Sequence, residues 1–409
     1  MLLPVTSKTN KINHLEISGI DFASLVKKYK TPVYIYDVET IRHQCRQYIK
    51  NFNFDGVEST VIYASKAFNC IPMCQLARRE GLSIDVSTGG ELFIALESGF
   101  EPQKIYFHGN NKSADEIEYG VKSKVGCFIV DNFEELNNLD RIAQKYEVKQ
   151  NIMLRITPGI HASTHEYIQT GKEKSKFGFS LTGEIALDAV KNALSRQNLI
   201  LKGIHSHIGS QIFNIEPYDK LISVQLKFLA EIKRNFDVAL DWINIGGGLG
   251  VKYVPQDIPA SIADFADLVE NAIKKYSDKY KVKISRLMIE PGRSIVGNAG
   301  IAVYEVGVVK EIPGVHNYIS VDGGMSDNIR PILYGAIYTP FIVNRMNDTQ
   351  EKNDKTCWKK YTIVGKHCES GDILVEDVCL PQVNPGDYIG LATAGAYCYS
   401  MSSNYNGQP

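Results

Sequence analysis

The chain has 409 residues, 44% of them hydrophobic and 22% charged, with a formal net charge of -1. That length exceeds what one hydrophobic core covers and asks for two domains, while the balanced charge excludes a general nucleic-acid or polyanion binder. No apolar run reaches membrane-spanning length, the first residues are too few for a signal-peptide core, and eight cysteines without a Cys-x-x-Cys pair fit a reducing, cytoplasmic compartment.

Residues 1–35 carry a short helix pattern (Asp21, Phe22, Leu25, Val26), and 31–36 reads as a strand. From there β-rich runs at 61–64, 83–86, 104–107, 126–130, 152–156, 201–206, 242–245 and 287–289 alternate with amphipathic stretches such as 91–96 and 133–136. The first four recur about every 22 residues, the length of a strand, a helix and two loops. Eight such units predict an α/β fold, a (β/α)8 TIM barrel over 36–297, with the doubly wound sheet as the alternative. Beyond 297 the rhythm changes. Runs at 302–309, 318–321, 361–364 and 387–391, separated by turn residues, predict a second, mainly antiparallel β domain over 298–409, sandwich- or barrel-like. Residues 1–35 are expected to join it, and the polar stretch 345–360 to form an exposed loop or hairpin tip.

Active sites of such barrels lie at the carboxyl ends of the strands. Here the strands end on Lys66, Asp85, His108-Gly109-Asn110-Asn111, Asp131, Arg155, His207, Gly246-Gly247-Gly248 and Glu290-Pro291-Gly292-Arg293. Any one of these is as readily a helix cap or a satisfied polar group; eight on one rim point to a site. Lys66 has two readings. Its stem snorkels its charge to solvent, or burial depresses its pKa and it forms a Schiff base with an aldehyde. Phosphate sites in these barrels use the loops after strands seven and eight, here 246–250 and 291–293. Glycines there let backbone N–H groups approach an anion, although tight turns needing positive φ would also select glycine. A lysine plus a phosphate cradle implies a phosphorylated aldehyde, and pyridoxal 5'-phosphate is the obvious one. Glu290 would then face the ring nitrogen and His207 would stack on the ring.

Tyr63-Ala64-Ser65-Lys66, residues 205–211 (His-Ser-His-Ile-Gly-Ser-Gln), 246–250, 290–293, Cys368-Glu369-Ser370-Gly371-Asp372 and Gly395-Ala396-Tyr397 occur in this order. Together they resemble the barrel-fold (fold-type III) pyridoxal-phosphate decarboxylases of basic amino acids, from about residue 30 to the C-terminus. Residues 108–113 and 175–178 resemble the diaminopimelate decarboxylase branch. The resemblance implies decarboxylation of meso-2,6-diaminopimelate to L-lysine and CO2, the last step of lysine biosynthesis. It implies that Lys66 holds the cofactor, supported by Asp85, Glu91, Arg155 and the stacking His207. Ser210, Gly248, Glu290, Pro291, Gly292 and Arg293 would hold phosphate and ring, joined by Tyr397. Arg293, Arg330, Tyr334, Glu369 and Tyr397 would bind substrate. Cys368 would be the proton donor, contributed by the neighbouring subunit of a homodimer with shared active sites. No metal, nucleic acid or membrane is implied.

The chemistry agrees with those roles. Arginines suit a distal carboxylate through bidentate bonding, Glu369 suits a distal ammonium, and a thiol can protonate Cα as general acid. Cys368 as an ordinary buried thiol is the alternative. Competing functions are decarboxylation of carboxynorspermidine, ornithine or arginine, a cofactor-binding regulator without catalysis, and a racemase. The last lacks a tyrosine base in the required position.

Overall fold

The computed structural model describes residues 2–160, 175–350 and 358–408. They divide into two compact units: Gln44–Gly250 with Pro259–Gly292, and Met1–His43 with Val251–Ile258 and Arg293–Pro409. Residues 36–43, 251–258 and 293–297, expected within the barrel, group instead with the second unit.

The first unit is a closed barrel of eight parallel strands: Glu58–Ala64, Ser83–Val86, Ile105–Phe107, Cys127–Val130, Gln150–Thr157, Leu199–His205, Trp242–Asn244 and Arg286–Ile289. Each pairs with its neighbour in sequence, the eighth pairs back onto the first, and Phe179–Ser180 adds a short parallel pairing on the fifth. Strands two, three and four are buried at every residue, as expected when a parallel sheet is covered on both faces. Ile62, Tyr106, Ile129, Met153 and Met288 fill the interior. The helices between strands start on local signals. Ser113 and Glu116 form a reciprocal capping box, Ser261 and Asp264 another, and Thr88 and Asn132 each cap through a side-chain oxygen. Among the described residues, no helix is long and apolar enough to cross a membrane.

Strand register decides which side chains share the rim. Ala64 lies opposite Asp85, and Arg155, His205, Asn244 and Met288 fall in one row across strands five to eight. Functional groups far apart in sequence therefore reach the same height of the ring.

The second unit is built on a seven-stranded mixed sheet. Pro340–Ile342, Tyr388–Leu391, Gly300–Ile312, His316–Val321, Lys359–Val364 and Ile373–Leu380 follow in that order, and Val33–Tyr36 pairs with Gly300–Ile312. All pairings are antiparallel except that of Tyr318–Ser320 with Thr362–Val364, which is parallel. The N-terminal residues Leu15, Ile17, Phe22 and Val26 pack against Ile301, Val303, Phe341 and Val343 of this unit. Within 345–360 the expected loop begins with a short helix, Met346–Gln350, and ends as strand Lys359–Val364; 351–357 lie outside the described residues.

Candidate active site

Lys66 lies on a single 3-10 turn, Ser65–Ala67, directly after the first strand. It is exposed, as the snorkelling reading of the sequence has it, because the turn follows the end of the buried strand. Its charge acts on Asp85 and on His207, which places all three on one mouth. Asp85 is buried and accepts a hydrogen bond from the Ser65 amide at 2.9 Å, so the second strand fixes the turn that carries Lys66. Burial, then the neighbouring Glu290 charge, push the Asp85 carboxyl up to about 8.

Glu290 behaves oppositely. Its oxygens take the Asn244 amide at 2.7 Å and His205 Nε2 at 3.1 Å, and His108 Nε2 lies 2.8 Å from Oε1. Burial would raise it, but these partners hold it well below the usual carboxylate range. The two histidines are driven the other way by burial, His205 down to about 4. His207 is half-buried; enclosure of its ring, then the Lys66 and Arg155 charges, hold it well below the ordinary value.

The glycine loop after strand seven is locked into the wall. A Cβ on Gly247 would sit 2.0 Å from the Glu290 carbonyl oxygen, and one on Gly248 (φ +119°) would sit 2.3 Å from the Gly209 carbonyl oxygen. Gly248 accepts from Ile212 N–H, Gly250 N–H donates to Ile212, and Tyr218 Oη donates to Gly247. Residues 246–250 thus lie directly beside the segment carrying Ser210. Pro291 accepts the Ala64 amide at 3.0 Å, and a Cβ on Gly292 would meet Ala64 and Ala67 at about 3 Å. These glycines are required by close approach of backbone, and the same packing brings 246–248 and 290–292 to the strand that presents Lys66.

The rim is braced by Lys112. Its buried ammonium donates to Gly109 O at 2.8 Å, Ile129 O at 3.0 Å and Glu135 Oε1 at 2.6 Å. Glu135 Oε2 in turn accepts the Asp131 amide at 2.9 Å. Arg155 lies with Nε 3.9 Å from Asp131 Oδ1 and its guanidinium 4.2 Å over the Phe177 ring. Glu91 bonds back to the Ser87 amide, stabilising the start of its own helix.

In the second unit, Arg293 and Arg330 are both buried among tyrosines. Arg293 donates to Tyr253 Oη at 2.6 Å, and Arg330 Nε to Tyr338 Oη at 2.9 Å. Both guanidiniums approach the Tyr397 ring, at 4.7 and 5.6 Å, and Arg330 lies 5.3 Å over Tyr334. Tyr397 has φ +64°, a left-handed backbone conformation costly for a tyrosine. Among the described residues the buried charge of Arg330 meets the Tyr338 hydroxyl and the Tyr253, Tyr334 and Tyr397 ring faces. Cys368 and Glu369 are exposed, in a loop tied by Asp372 to the His367 and Met325 amides; the Cys368 amide donates to Asn406 Oδ1 at 3.3 Å. Of the described cysteines only Cys368 and Cys379 are exposed.

The first unit therefore brings together Lys66, Asp85, His207 and Glu290, and the second gathers Arg293, Arg330, Tyr334 and Tyr397. Sequence reasoning placed His108 on the rim without a specific role and did not single out His205, Asn244, Tyr253 or Tyr338. His205 and Asn244 end strands and were detectable by that criterion; the two tyrosines carry no such signal.

Residues 38–297 match the family described as pyridoxal-dependent decarboxylase, pyridoxal binding domain. The chain is 44% identical over 404 residues to the diaminopimelate decarboxylase of Halalkalibacterium halodurans, covering 99% of this chain and 90% of that one. It is 43% identical over 409 residues to that of Bacillus subtilis, covering 100% and 92%. The crystal structure of the diaminopimelate decarboxylase of M. jannaschii in complex with L-lysine superposes with a TM-score of 0.91 at 34% identity, covering 100% of this chain and 92% of that one.

Proposed function

The chain belongs to the pyridoxal-dependent decarboxylases, and from that premise we propose that it converts meso-2,6-diaminopimelate to L-lysine and CO2. The observation that carries the reading is an exposed amine, Lys66, sharing the barrel mouth with a buried, ionised carboxylate, Glu290.

The residues fit pyridoxal phosphate. An aldehyde needs an accessible amine, a pyridine nitrogen that stays protonated needs a fixed carboxylate, and a phosphate needs backbone approached without side chains. Lys66, Glu290 and the loop around Gly248, where a Cβ would strike the neighbouring backbone, meet these needs. We assign Ser210, Gly248, Pro291, Gly292, Arg293 and Tyr397 to holding the cofactor with Asp85 and His207. When bound, the cofactor supplies an electron-withdrawing ring that accepts the electron pair left at Cα as CO2 departs.

The chain's own residues do the rest. Lys66 Nζ provides the attachment point, and Asp85 keeps its turn in place through the Ser65 amide. Glu290 would face the ring nitrogen and favour its protonated form. The buried Arg330 guanidinium offers a bidentate donor pair to the distal carboxylate of the substrate, with Tyr334 beside it and Glu369 for the distal ammonium. Cys368 Sγ delivers the proton to Cα. Exposure of Cys368 and Glu369 in one chain suits side chains that act in a partner subunit, and we propose a homodimer with shared active sites. The seven cysteines described are all unbridged, and we place the enzyme in the cytoplasm.

The test is spectroscopic and kinetic. Purified protein should bind pyridoxal phosphate with a visible absorption band that Lys66→Ala lacks. CO2 release should favour diaminopimelate over ornithine, arginine and carboxynorspermidine; preference for ornithine would overturn the substrate assignment.

A further inference from the structure

Two buried carboxylates on the same rim, Asp85 and Glu290, are pushed in opposite directions, Asp85 up and Glu290 down, and they differ in their donors. Asp85 receives one backbone N–H, from Ser65. Glu290 faces three side-chain N–H groups: Asn244 Nδ2 at 2.7 Å and His108 Nε2 at 2.8 Å on Oε1, and His205 Nε2 at 3.1 Å on Oε2. The His108 contact is close but off the hydrogen-bonding line. The imidazoles come from strand ends three and six and meet edge to face, 4.9 Å apart at 75°. Asn244 belongs to strand seven and donates nothing to any other described acceptor. Three strands thus converge on the one carboxylate of the eighth.

An ionised carboxylate offers about four acceptor positions. Asn244 and the histidines face three of them, which leaves one. The geometry points to His108 and His205 as positioning residues: they hold Glu290 ionised and aimed, with one acceptor lobe kept for a proton-bearing ring nitrogen. This rests on the reading that Glu290 faces the cofactor ring. Burial keeps both imidazoles neutral near neutrality, so His205 gives an N–H and His108 brings its Nε2 close without adding a charge that would repel a protonated ring. With His205 donating from Nε2, its Nδ1 is the bare nitrogen, and that atom is buried without a hydrogen-bond partner. The ionisable groups facing this cluster are Lys66 and Asp85 from the first two strands, Lys112 after the third, Arg155 on the fifth and His207 after the sixth. Asp131, after the fourth, acts on it through Arg155. The same three residues place ligand atoms within 4.8 Å of one another, as a metal site would. His205 Nε2 donates its N–H to Glu290, so that nitrogen has no lone pair to offer an ion.

The experiment compares His108→Leu and His205→Leu, which remove the donor, with His108→Gln and His205→Gln, which keep an N–H of similar reach. The readouts are the pH titration of the visible absorbance of the cofactor-loaded enzyme and the separate values of kcat and KM. The leucine variants should lose about 10- to 100-fold in kcat with KM near wild type, the worth of a hydrogen bond to a charged group. Their absorbance titration should be displaced, and glutamine should restore both. Leucine variants with wild-type titration overturn the proposal whatever their kcat, since a merely structural role leaves the spectrum unmoved. If leucine prevents folding, the glutamine variants decide, and failure of glutamine to restore the wild-type titration overturns it. One equivalent of Zn2+ retained by the loaded wild type would overturn it in favour of a metal site. The wild-type and Lys66→Ala spectra are recorded first: absence of a Lys66-dependent band sinks the cofactor reading itself, separately from the histidines.

Discussion

Replacing Lys112 by methionine removes a charge that is wholly enclosed. The side chains of Lys112 and Glu135 are 0% and 3% exposed, and the ammonium spends its three donors on Gly109 O, Ile129 O and Glu135. Methionine fills most of the volume, so the cavity term is small, and what remains is a buried carboxylate with one N–H donor, from Asp131. Breaking such a pair from one side costs about 3–5 kcal/mol, or roughly 5–20 °C in melting temperature for a unit of this size. The pH dependence adds a sign. Burial already raises the Glu135 carboxyl in the native pair, and loss of Lys112 raises it further. A carboxyl whose folded pKa is raised stabilises most below its unfolded pKa, about 4.3, and less as pH rises through the folded value. The deficit of Lys112→Met should therefore be smallest near pH 4–5 and grow toward pH 8. Denaturant unfolding of the loaded enzyme across that range measures it. Lys112→Met combined with Glu135→Leu should recover much of the loss, because an apolar pair leaves no stranded charge. A double variant no more stable than the single one, or a single variant within about 1 kcal/mol of wild type, would refute the reasoning.

Cys368→Ala should retain the visible cofactor band and lose about 10²- to 10⁴-fold in CO2 release, the usual worth of a general acid; release at full rate would remove Cys368 from the mechanism. Arg330→Lys keeps the charge but not the planar fork, so KM for diaminopimelate should rise about 10- to 100-fold in steady-state assays while kcat changes less. Gly247→Ala puts a Cβ 2.0 Å from the Glu290 carbonyl oxygen, a backbone atom that cannot swing aside. A loss of about 3 kcal/mol or more by denaturant unfolding is expected. Asp85, raised to about 8, should make the cofactor-free protein lose stability as pH climbs from about 4 to 8, and Asp85→Asn should flatten that slope.

The barrel was legible because its strands are largely buried runs, wholly so in strands two to four, separated by amphipathic helices with side-chain caps at Thr88, Ser113, Asn132 and Ser261. The residues that end those strands could also be read, since strand ends and function coincide in this architecture. What was not legible depends on contacts across sequence distance. Val251–Ile258 lies between the last two barrel strands in the chain yet groups with the other unit, where Tyr253 bonds to Arg293. Linear order gives no sign of that. The small N-terminal sheet, Ser7–Thr9 with Leu15–Ile17 and Ile20–Asp21, has strands too short to show alternation. His108 and His205 stood at readable positions, but their convergence on Glu290 needs three strands in register. Exposure of Lys66 was one of two readings the sequence allowed, and the single 3-10 turn after the buried strand decides between them.

The distribution of thiols makes this chain convenient to label. Among the described cysteines, four are buried and one half-buried, leaving Cys368 and Cys379 at the surface. Replacing Cys379 with serine would leave a maleimide dye one readily reached described sulfur, on the loop assigned to proton delivery. A fluorophore there would report assembly of two copies as quenching or energy transfer, and substrate would compete with the dye for the position.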